Sequence, residues 1–334
     1  MKVNVIAEKF IGTANGVYTA FVEAVEGLKK VPDLHLTINK ITPDADVIHF
    51  HSIGWKYIIS SLKYKNKMVV SAHVVPDSFI GSLILSELWR PFAKLYLRFV
   101  YNRSSMVIAV SPQVKEELEK INVKSPINVL CNSVNRDKFK QNSEIRAKLR
   151  TKLGLSDQDF VAISVGQIQP RKGIFDFIET AKNLPDIKFV WIGGRPYGRL
   201  TAEYDTMTKA VDNAPKNAIF QGIVDFTEMP GYYAMADCFF MPSLQENFAF
   251  ATIEASAVKL PLVLRDNIEY PSSLFTHYLK GKTAKDFSDI INKLSKEKDF
   301  LAAWQKESDI LASKYELSAY IKQLLSYYKT VAVK

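Results

Sequence analysis

The sequence of 334 residues lacks several features that would assign it to a class at once. It has only two cysteines, Cys131 and Cys238, and both lie in apolar, strand-like runs. Disulfide-stabilised secreted domains are rich in cysteine, so we expect two buried free thiols and a reducing compartment. No apolar run reaches the roughly 20 residues that a membrane-spanning helix needs. The opening MKVNVIAEKF predicts a strand rather than a signal peptide.

Familiar catalytic signatures are missing as well. Gly12 and Gly16 follow the first predicted strand, but they do not form the G-x-G-x-x-G of a dinucleotide-binding loop. There is no G-x-S-x-G elbow of a serine hydrolase. His49 and His51 alternate along DVIHFHS with no carboxylate or cysteine at ligand spacing, so we predict no zinc site. No D-x-D stands at the carboxyl end of a predicted strand, and we expect no protein-ligated metal.

The formal charge of +9 is unevenly distributed along the chain. Residues 1–150 contain 22 Lys and Arg against 13 Asp and Glu, whereas residues 151–334 contain 22 of each. All of the net charge therefore lies in the first part, which predicts an anionic surface as partner, either nucleic acid or anionic lipid. The alternative is charge that serves solubility only, although such charge usually spreads over a whole chain.

Apolar runs of strand length alternate with helical patterns through both parts of the sequence. The predicted strands lie at 3–7, 34–39, 46–50, 67–72, 106–110 and 127–131 and, in the second part, at 160–165, 187–192, 218–220, 237–241 and 260–264. Such alternation is typical of doubly wound, parallel α/β sheets. We therefore predict two Rossmann-like α/β domains that face a ligand-binding cleft, followed by a helical C-terminal tail.

The stretch 236–265, ADCFFMPSLQENFAFATIEASAVKLPLVLR, has the strand, loop, helix and strand of one such unit. Glu246 precedes the helix and Glu254 lies in its second turn, with no other charge between them. A helix N-terminus can seat a phosphate, and carboxylates accept strong hydrogen bonds from hydroxyls. The pattern thus indicates a ligand that carries both groups. On spacing alone, a capping Glu246 and a solvated Glu254 explain it at least as well.

Two further candidate sites directly follow predicted strands. The turn 166–173, GQIQPRKG, places Arg171 and Lys172 where two cations can stabilise a leaving phosphate, although a plain surface turn fits the sequence equally. Because this turn contains no Gly-Lys-Ser/Thr, it is not a Walker loop. His73 follows the apolar run MVVSA, where a neutral imidazole can bond a ligand hydroxyl. A structural histidine is an equal alternative.

Residues 78–103 form a long apolar and aromatic segment in which Arg90, Lys94 and Arg98 recur every four residues. Such a helix can lie in the interface of a bilayer. We predict that Pro91 starts a second helix, and that this second half, from Pro91 to Tyr101, packs in the core. The predicted membrane or lipid-acceptor surface is Phe79, Ile80, Leu83, Ile84, Leu88, Trp89, Arg90 and Lys94, with a cationic face nearby at Lys56, Lys63, Lys65 and Lys67.

Several of these motifs together resemble those of the retaining glycosyltransferases of family 4, which have the two-domain GT-B fold. The similarity covers nearly the whole chain. It is most specific in PSLQENFAFATIEA, where the family usually has P-S-x-x-E-G-F-G-x-x-x-x-E-A. The turn GQIQPRKG resembles the family's G-R-x-x-x-x-K-G, and 132–139 looks like its N-G-V-D…F. Three positions depart from these patterns, since Gln167 replaces an arginine and Asn247 and Ala249 replace glycines.

The resemblance implies roles for the matching residues. Glu254 would hold the ribose hydroxyls of a nucleoside diphosphate, and Glu246 would contact the donor sugar. Lys172, helped by Arg171, would neutralise the leaving diphosphate. His73 would lie near C6 of the sugar. The donor-binding set is completed by Gly16 near the diphosphate, by Gly166 and Gln167, and by Asn247, Phe248, Ala249 and Phe250, whose backbone N–H groups would contact phosphate or hexose.

The family's organisation implies three segments. Residues 1–140 would form an acceptor-binding, membrane-facing domain, and residues 141–312 would bind the nucleotide sugar. Residues 313–334 would return to the first domain as a helix. No cofactor is expected to be tightly bound, and an assay requirement for Mg²⁺ stays open.

Within the family, VNVIAEKFIGTANGVYTAFVEAVEGLKK and VGQIQPRKG look most like bacterial diglucosyl-diacylglycerol synthases, which add α-(1→2)-glucose from UDP-glucose to monoglucosyl-diacylglycerol. The implied partners are UDP-glucose, a glucosyl-diacylglycerol acceptor and an anionic membrane surface, with no nucleic acid. The implied location is peripheral, on the cytoplasmic face of the cell membrane. Three alternatives remain, namely a soluble, polymeric or protein acceptor, a membrane-surface binding protein without catalysis, and a UDP-sugar epimerase.

Overall fold

A computed structural model describes residues 1–8, 16–76, 86–195, 203–246, 248 and 250–333, with only the backbone described at 86–90. The chain forms two compact units. The described residues up to Ser133, and those from Tyr315 onward, belong to the first unit. The second unit contains the described residues from Val134 to Lys314.

The strands and helices alternate along most of the described chain. The strands are β1 (Lys2–Ile6), β2 (His35–Ile38), β3 (Val47–Phe50), β4 (Met68–Ala72), β5 (Met106–Ala109), β6 (Ile127–Val129), β7 (Val161–Val165), β8 (Lys188–Ile192), β9 (Ala218–Gly222), β10 (Cys238–Met241), β11 (Leu262–Arg265) and β12 (Leu279–Gly281). The helices are α1 (Gly16–Leu28), α2 (Trp55–Tyr64), α3 (Ser86–Tyr101), α4 (Pro112–Lys120), α5 (Ser143–Lys152), α6 (Ile174–Asn183), α7 (Tyr204–Asp212), α8 (Met229–Met235), α9 (Phe250–Ala257), α10 (Pro271–Leu274), α11 (Ala284–Lys296), α12 (Lys298–Ser313) and α13 (Leu317–Ala332).

The first unit is built on a parallel sheet in the order β2-β1-β3-β4-β5-β6. Val5 lies opposite His49, and Val70 opposite Val107. All residues of β4 and β5 are buried, which explains their apolar runs, because helices cover both faces of a parallel sheet. The last helix, α13, packs against α1 and contributes Leu324 and Tyr328 to the core of this unit.

The second unit contains a parallel sheet in the order β12-β11-β10-β7-β8-β9. Phe239 of β10 lies opposite Ile163 of β7, so these strands end at the same level and the loops that follow them are neighbours. The core is aromatic, and Phe177 of α6 stacks on Phe240 and meets Trp191 edge to face. The predicted class of two parallel α/β sheets with a helical C-terminal region is confirmed.

An ion cluster around the buried Arg150 anchors α5 to the second sheet. Asp237, at the start of β10, accepts hydrogen bonds from Arg146 at 2.6 Å and from Arg150 at 2.7 Å. The Arg150 side chain is 1% exposed, and the same carboxylate accepts the N–H of Val161. The cluster therefore ties α5 to both β7 and β10, the strands that carry the loops described below.

The structure corrects three predictions. The edge strand β12 was not predicted, because its three residues have no apolar pattern and are held by backbone pairing to β11. Pro91 does not begin a new helix but lies inside α3, since a proline removes one helical hydrogen bond without having to end the helix. The part of α3 after Pro91 is not packed wholly in the core, since Phe92 and Leu95 are 67% and 65% exposed.

Among the described helices, none is both long enough and apolar enough to cross a bilayer. In the described part of the chain, no three His, Cys, Asp or Glu residues come together as a group that could hold a metal ion.

Candidate active site

Two loops meet at the carboxyl ends of β7 and β10. The first contains Arg171 and Lys172, and the second begins at Pro242. Leu244 donates its N–H to the carbonyl of Arg171 at 2.7 Å, and the hydroxyl of Ser243 donates to the same carbonyl at 3.1 Å. Parallel strands bring their following loops to one edge of the sheet, where such folds bind ligands.

Gly173 allows this close approach between the two loops. Its φ angle is +76°, in the left-handed region, and a Cβ atom at this position would lie 2.2 Å from the carbonyl oxygen of Pro242. Only glycine satisfies both the backbone conformation and the spacing. Gly166, which was predicted as a donor-binding glycine, has ordinary space for a Cβ, whose nearest neighbours would be 3.6 Å away.

Replacing Gly173 by alanine is expected to destabilise the second unit by about 3 kcal/mol or more, because strain at positive φ adds to a clash with backbone. Gly154→Ala is the matched control. Gly154 has φ +67°, but a Cβ atom at this position would have no neighbour within 4 Å, so only the strain of about 1 kcal/mol applies. Urea unfolding of both variants measures the difference, and equal losses would contradict the role of the Gly173–Pro242 contact.

The two loops also place a buried ion pair between them. Lys172 Nζ contacts Glu246 Oε1, and the side chains are 13% and 8% exposed. Burial lowers the pKa of Lys172, although Glu246 acts in the opposite direction. Burial opposes charge on Glu246 as well, but attraction to Lys172 and Arg171 outweighs it and holds the pKa of Glu246 below its usual range. The pair is thus a charged, oriented group in a largely dry site.

Glutamine side chains orient the neighbouring guanidinium. Arg171 Nε donates to Gln169 Oε1 at 3.1 Å, and its Nη1 lies 3.4 Å from the carbonyl of Gln245. The buried Gln169 in turn donates its amide N–H to Gln167 Oε1 at 2.8 Å. Gln167 therefore belongs to the network that positions Arg171.

The second carboxylate of the site lies one helix turn into α9. Glu254 is 7% exposed and accepts a hydrogen bond from the hydroxyl of Tyr233, on α8, at 2.7 Å. Burial, followed by the nearby Glu254 charge, raises the pKa of Tyr233 well above its usual value, so its hydroxyl stays a donor. Tyr233 therefore fixes the position of one oxygen of Glu254.

The loop that leads from β10 to Glu246 is supported from β11 and the residues after it. Arg265 donates to the carbonyl of Pro242 at 3.0 Å, and Asn267 donates to that of Ser243 at 2.8 Å. Phe248 and Phe250 meet edge to face, and the N–H of Phe250 donates to the carbonyl of Phe248. Asn247 and Ala249 lie outside the described residues.

In the first unit, the half-buried His73 belongs to a group of three imidazoles whose other members, His49 and His51, are buried. Its Nε2 lies 3.4 Å from Nδ1 of His51, and the rings of His51 and His49 are tilted to each other with centroids 4.4 Å apart. His49 is held by the hydroxyls of Tyr328 at 2.7 Å and Ser71 at 2.8 Å. Burial lowers the pKa of His73 to about 4 and, together with the charge of His73, that of His49 to about 3. These rings are therefore neutral at physiological pH.

The remaining predicted residues divide between described and undescribed parts of the chain. Gly16 is the exposed first residue of α1. Lys94 is exposed on α3. Leu88, Trp89 and Arg90 lie in α3 with their side chains undescribed, and Phe79, Ile80, Leu83 and Ile84 lie outside the described residues.

Comparison with known proteins adds to this geometry. Residues 145–309 match the family model described as Glycosyl transferases group 1, and residues 18–138 match that described as Glycosyltransferase Family 4. The chain is 30% identical, over 337 aligned residues, to the Alpha-galactosylglucosyldiacylglycerol synthase of Streptococcus pneumoniae, with 99% of this chain and 90% of that protein covered. The chain belongs to glycosyltransferase family 4.

Other similar proteins agree with this assignment. The Processive diacylglycerol alpha-glucosyltransferase of Acholeplasma laidlawii is 31% identical, with 85% of this chain and 84% of that protein covered. The crystal structure of Anabaena HepE in complex with UDP-glucose superposes with a TM-score of 0.79 at 15% identity, covering 99% of this chain and 100% of that one. At that identity the structural likeness establishes the GT-B fold only.

For this family-4 glycosyltransferase, sequence reasoning missed Tyr233 and Arg195. Tyr233 lies in the quoted segment YYAMADCFFMPS, but nothing in one sequence pairs it with Glu254. Arg195 follows β8, beside Gly194, whose carbonyl accepts the N–H of Ile168. Its Nε and Nη2 atoms are buried and make no hydrogen bond within the described part of the chain. A cation directly after a strand of the second unit is the signal that could have found it.

Proposed function

We propose that this family-4 glycosyltransferase is a retaining enzyme that moves a hexose from a UDP-sugar to monoglucosyl-diacylglycerol. The proposed donor is UDP-glucose and the proposed product is α-(1→2)-diglucosyl-diacylglycerol. The observation that carries the proposal is the buried Lys172–Glu246 pair, which sets a cation and a carboxylate side by side at the strand ends of the second unit. Two relatives whose names specify diacylglycerol glycolipids support the acceptor.

The ion pair suits a nucleotide sugar because each of the two side chains can make further hydrogen bonds. An ammonium has three N–H donors, so Lys172 can hold Glu246 with one and a diphosphate oxygen with another. The second carboxylate oxygen of Glu246 can accept a hydroxyl of the sugar. Lys172 and Arg171 together would stabilise the charge that develops on the leaving diphosphate.

The alpha linkage in the names of both relatives favours retention, because UDP-hexose donors of this kind are themselves α-linked. We propose front-face displacement. The bond from C1 to the diphosphate oxygen breaks, the acceptor oxygen bonds C1 on the same face, and the acceptor proton passes to the leaving diphosphate. The UDP would be held at Glu254 through its ribose and by the donor loop, whereas His73 would bond the sugar as a neutral ring.

Gln167 stands where the family usually has an arginine, and two other arginines near this site can supply the positive charge instead. Arg171 is oriented by Gln169, which also holds Gln167. Arg195 has unsatisfied N–H groups beside the same turn, and buried donors of this kind are normally paired when a ligand is present. We propose that Arg195 contacts the nucleotide in the bound enzyme.

The enzyme would act peripherally on the cytoplasmic face of the cell membrane, without a tightly bound cofactor. UDP-galactose is the second candidate donor, because the Streptococcus pneumoniae relative is named for a galactosylglucosyl product.

The test supplies purified enzyme with vesicles or detergent micelles containing monoglucosyl-diacylglycerol and either UDP-glucose or UDP-galactose. Transfer is followed by UDP release and by NMR of the product anomer. We expect an α-linked diglucosyl lipid from UDP-glucose. If the acceptor is instead soluble, polymeric or a protein, hexose would be transferred to that molecule and not to the lipid. UDP release without acceptor, an epimerised donor, or no turnover at all would each contradict the proposal.

Tyr233→Phe is expected to weaken UDP affinity about tenfold, because Glu254 loses the hydroxyl that orients it and a hydrogen bond to a charged group is worth about 1.5–3 kcal/mol. Titration calorimetry with UDP measures the change. Tyr232→Phe is the matched control. The Tyr232 hydroxyl is buried and makes no hydrogen bond within the described part of the chain, so its loss should leave UDP affinity unchanged. Equal effects of the two substitutions would remove Tyr233 from the site.

A further inference from the structure

Helices α2 and α3 lie side by side and run in the same direction. The hydroxyl of Tyr96 donates to the carbonyl of Ile53 at 2.8 Å, and that of Tyr57 donates to the carbonyl of Val100 at 2.9 Å. Arg103 then donates to the hydroxyl of Ser61 at 2.6 Å. The separation along the sequence is nearly the same in all three contacts, so the two helices keep one register over about two turns.

Both helices also cover the same side of the first sheet. They form the consecutive crossovers from β3 to β4 and from β4 to β5, and these strands are neighbours in that order. Parallel crossovers are right-handed, so two that advance in one direction place their helices on one face. Their outer surfaces therefore belong to one continuous part of this unit.

Each helix presents a row of exposed apolar side chains. On α2 these are Trp55, Ile59 and Leu62, which are 78%, 63% and 75% exposed. On α3 they are Phe92, Leu95 and Phe99, which are 67%, 65% and 51% exposed. The spacings of three and four residues put each set on one side of its helix. We call these six residues the α2–α3 face. A soluble protein rarely exposes such a contiguous apolar patch without a partner.

Cations border this face, and acidic residues are few in the sequence around it, where only Asp77 and Glu87 occur between residues 52 and 111. Residues 52–76 and 91–111 contain seven Lys or Arg and no Asp or Glu. Lys63, Lys94 and Arg98 are exposed on the two helices themselves. The nearby carboxylate that the structure places against α2 is Glu8, which accepts the backbone N–H of Lys56 at 2.9 Å. The surroundings of the face are therefore strongly electropositive.

We propose that the α2–α3 face docks on a lipid bilayer that contains anionic lipid. Trp and Phe side chains occupy the headgroup boundary of bilayers, and Lys and Arg beside them reach lipid phosphates. A second copy of the chain fits less well, because a symmetric contact would bring two cationic borders together. Nucleic acid would leave the six apolar side chains unmatched. The inference rests on the proposed function for its purpose, since an enzyme with a lipid acceptor must meet the bilayer.

This face is not the one that the sequence predicted. The predicted membrane surface was the segment from Phe79 to Lys94, whereas α2 and the part of α3 after Pro91 form the α2–α3 face. Some of the predicted residues do lie beside the α2–α3 face, namely Lys94 and the cationic residues of α2. The exposed apolar residues of α2 were not part of the predicted surface.

The experiment measures sedimentation of full-length protein with vesicles of phosphatidylcholine alone or mixed with phosphatidylglycerol. Wild type should partition at least about tenfold more strongly to the anionic vesicles. Trp55→Ser/Leu62→Ser/Leu95→Ser should lose on the order of 30-fold in partitioning, because three exposed apolar side chains no longer enter the interface. Ile223→Ser/Ile310→Ser/Val333→Ser removes three exposed apolar side chains from other surfaces and should bind as wild type does.

A second variant tests the charges separately. Lys63→Gln/Lys94→Gln/Arg98→Gln should lower binding to anionic vesicles about 100-fold, at roughly fivefold per cation, and should leave the weak binding to neutral vesicles unchanged. Urea unfolding of each variant reports whether both units remain folded. Equal binding by wild type and the apolar variant would overturn the proposal. An equal loss of vesicle binding in the control variant would overturn it too. So would a wild-type dimer that binds no vesicles and that the three apolar substitutions dissociate.

Transfer assays separate this proposal from the proposed function. If the face controls vesicle binding but no hexose is transferred in vesicles or micelles, the proposed function fails and the docking surface stands. If transfer proceeds in micelles while vesicle binding ignores the face, the docking surface fails and the proposed function stands. The expected result is that the apolar variant keeps transfer in micelles and loses most of it on vesicles.

Discussion

Lys172→Met is expected to slow hexose transfer by at least about 1,000-fold, because a preorganised cation at a developing negative charge contributes on this scale. Methionine keeps the apolar stem and most of the length of lysine and removes the charge with its N–H donors. The variant should still bind UDP through the ribose contact that we propose at Glu254, so the loss should appear mainly in kcat. A reduction in kcat of less than tenfold would show that Lys172 does not stabilise the leaving group.

The same substitution tests the ion pair through stability. Without Lys172, Glu246 is a buried carboxylate that has lost its closest cation, and breaking a buried pair in this way costs about 3–5 kcal/mol. Burial is the largest influence on Glu246 and favours its neutral form, so the pKa of Glu246 should rise in the variant. The stability loss should then be greatest at high pH and diminish as the pH falls and the carboxyl takes up a proton.

A double variant separates structure from catalysis. Lys172→Met/Glu246→Gln removes both charges and should recover most of the stability lost in the single variant, since no unpaired charge stays buried. It should not recover the transfer rate. Unfolding midpoints and kcat for the wild type, both single variants and the double variant form a complete cycle. Recovery of the rate in the double variant would mean that the pair acts on folding alone.

Strand positions followed from the sequence because buried parallel strands are almost wholly apolar, as β4 and β10 are. The ion pair could not be read in the same way. Lys172 and Glu246 are 74 positions apart, and they meet only because β7 and β10 are neighbours in the sheet. The pattern of a single sequence does not specify which strands are neighbours. It therefore identified both residues as candidates but did not predict that they form an ion pair.

The error on α3 has a different origin. Apolar residues after Pro91 were assigned to the core because large apolar side chains are most often buried. Leu97 and Val100 are indeed buried, but Phe92 and Phe99 lie on the opposite side of the same helix. Composition cannot distinguish a helix with one apolar face from one with two. The second apolar face becomes visible only when the sheet beneath the helix and the neighbouring α2 are known.

The first unit is expected to lose stability steeply as the pH falls from 6.5 to 5. Its core holds His49 and His51, with the half-buried His73 beside them, and burial lowers the pKa of each below its ordinary value. An unfolded histidine takes up a proton near pH 6.5, whereas His73 in the folded unit does so at about 4 and His49 at about 3. The unfolded state therefore binds more protons throughout this interval.

The sign of the effect follows from that difference in bound protons. A group whose folded pKa is below its unfolded pKa favours the unfolded state as the pH falls, by about 1.4 kcal/mol per pH unit for each histidine. Because an unfolded histidine is already half protonated at pH 6.5, three such groups contribute about 5 kcal/mol between pH 6.5 and 5. Domains are commonly stable by about 5–15 kcal/mol, so the first unit should approach unfolding near pH 5 while remaining stable at pH 7.5.

Urea unfolding between pH 7.5 and 5, followed at a signal from the first unit, measures this dependence as proton uptake. The slope should approach three protons near pH 5.5. His49→Gln should reduce it by about one, because glutamine can still bond the hydroxyls of Tyr328 and Ser71 but does not titrate. His35→Gln replaces an exposed histidine outside the group and should leave the slope as in wild type. A stability that stays level down to pH 5 would mean that the three imidazoles are protonated in the folded unit, and His73 could then not act as a neutral ligand for the sugar.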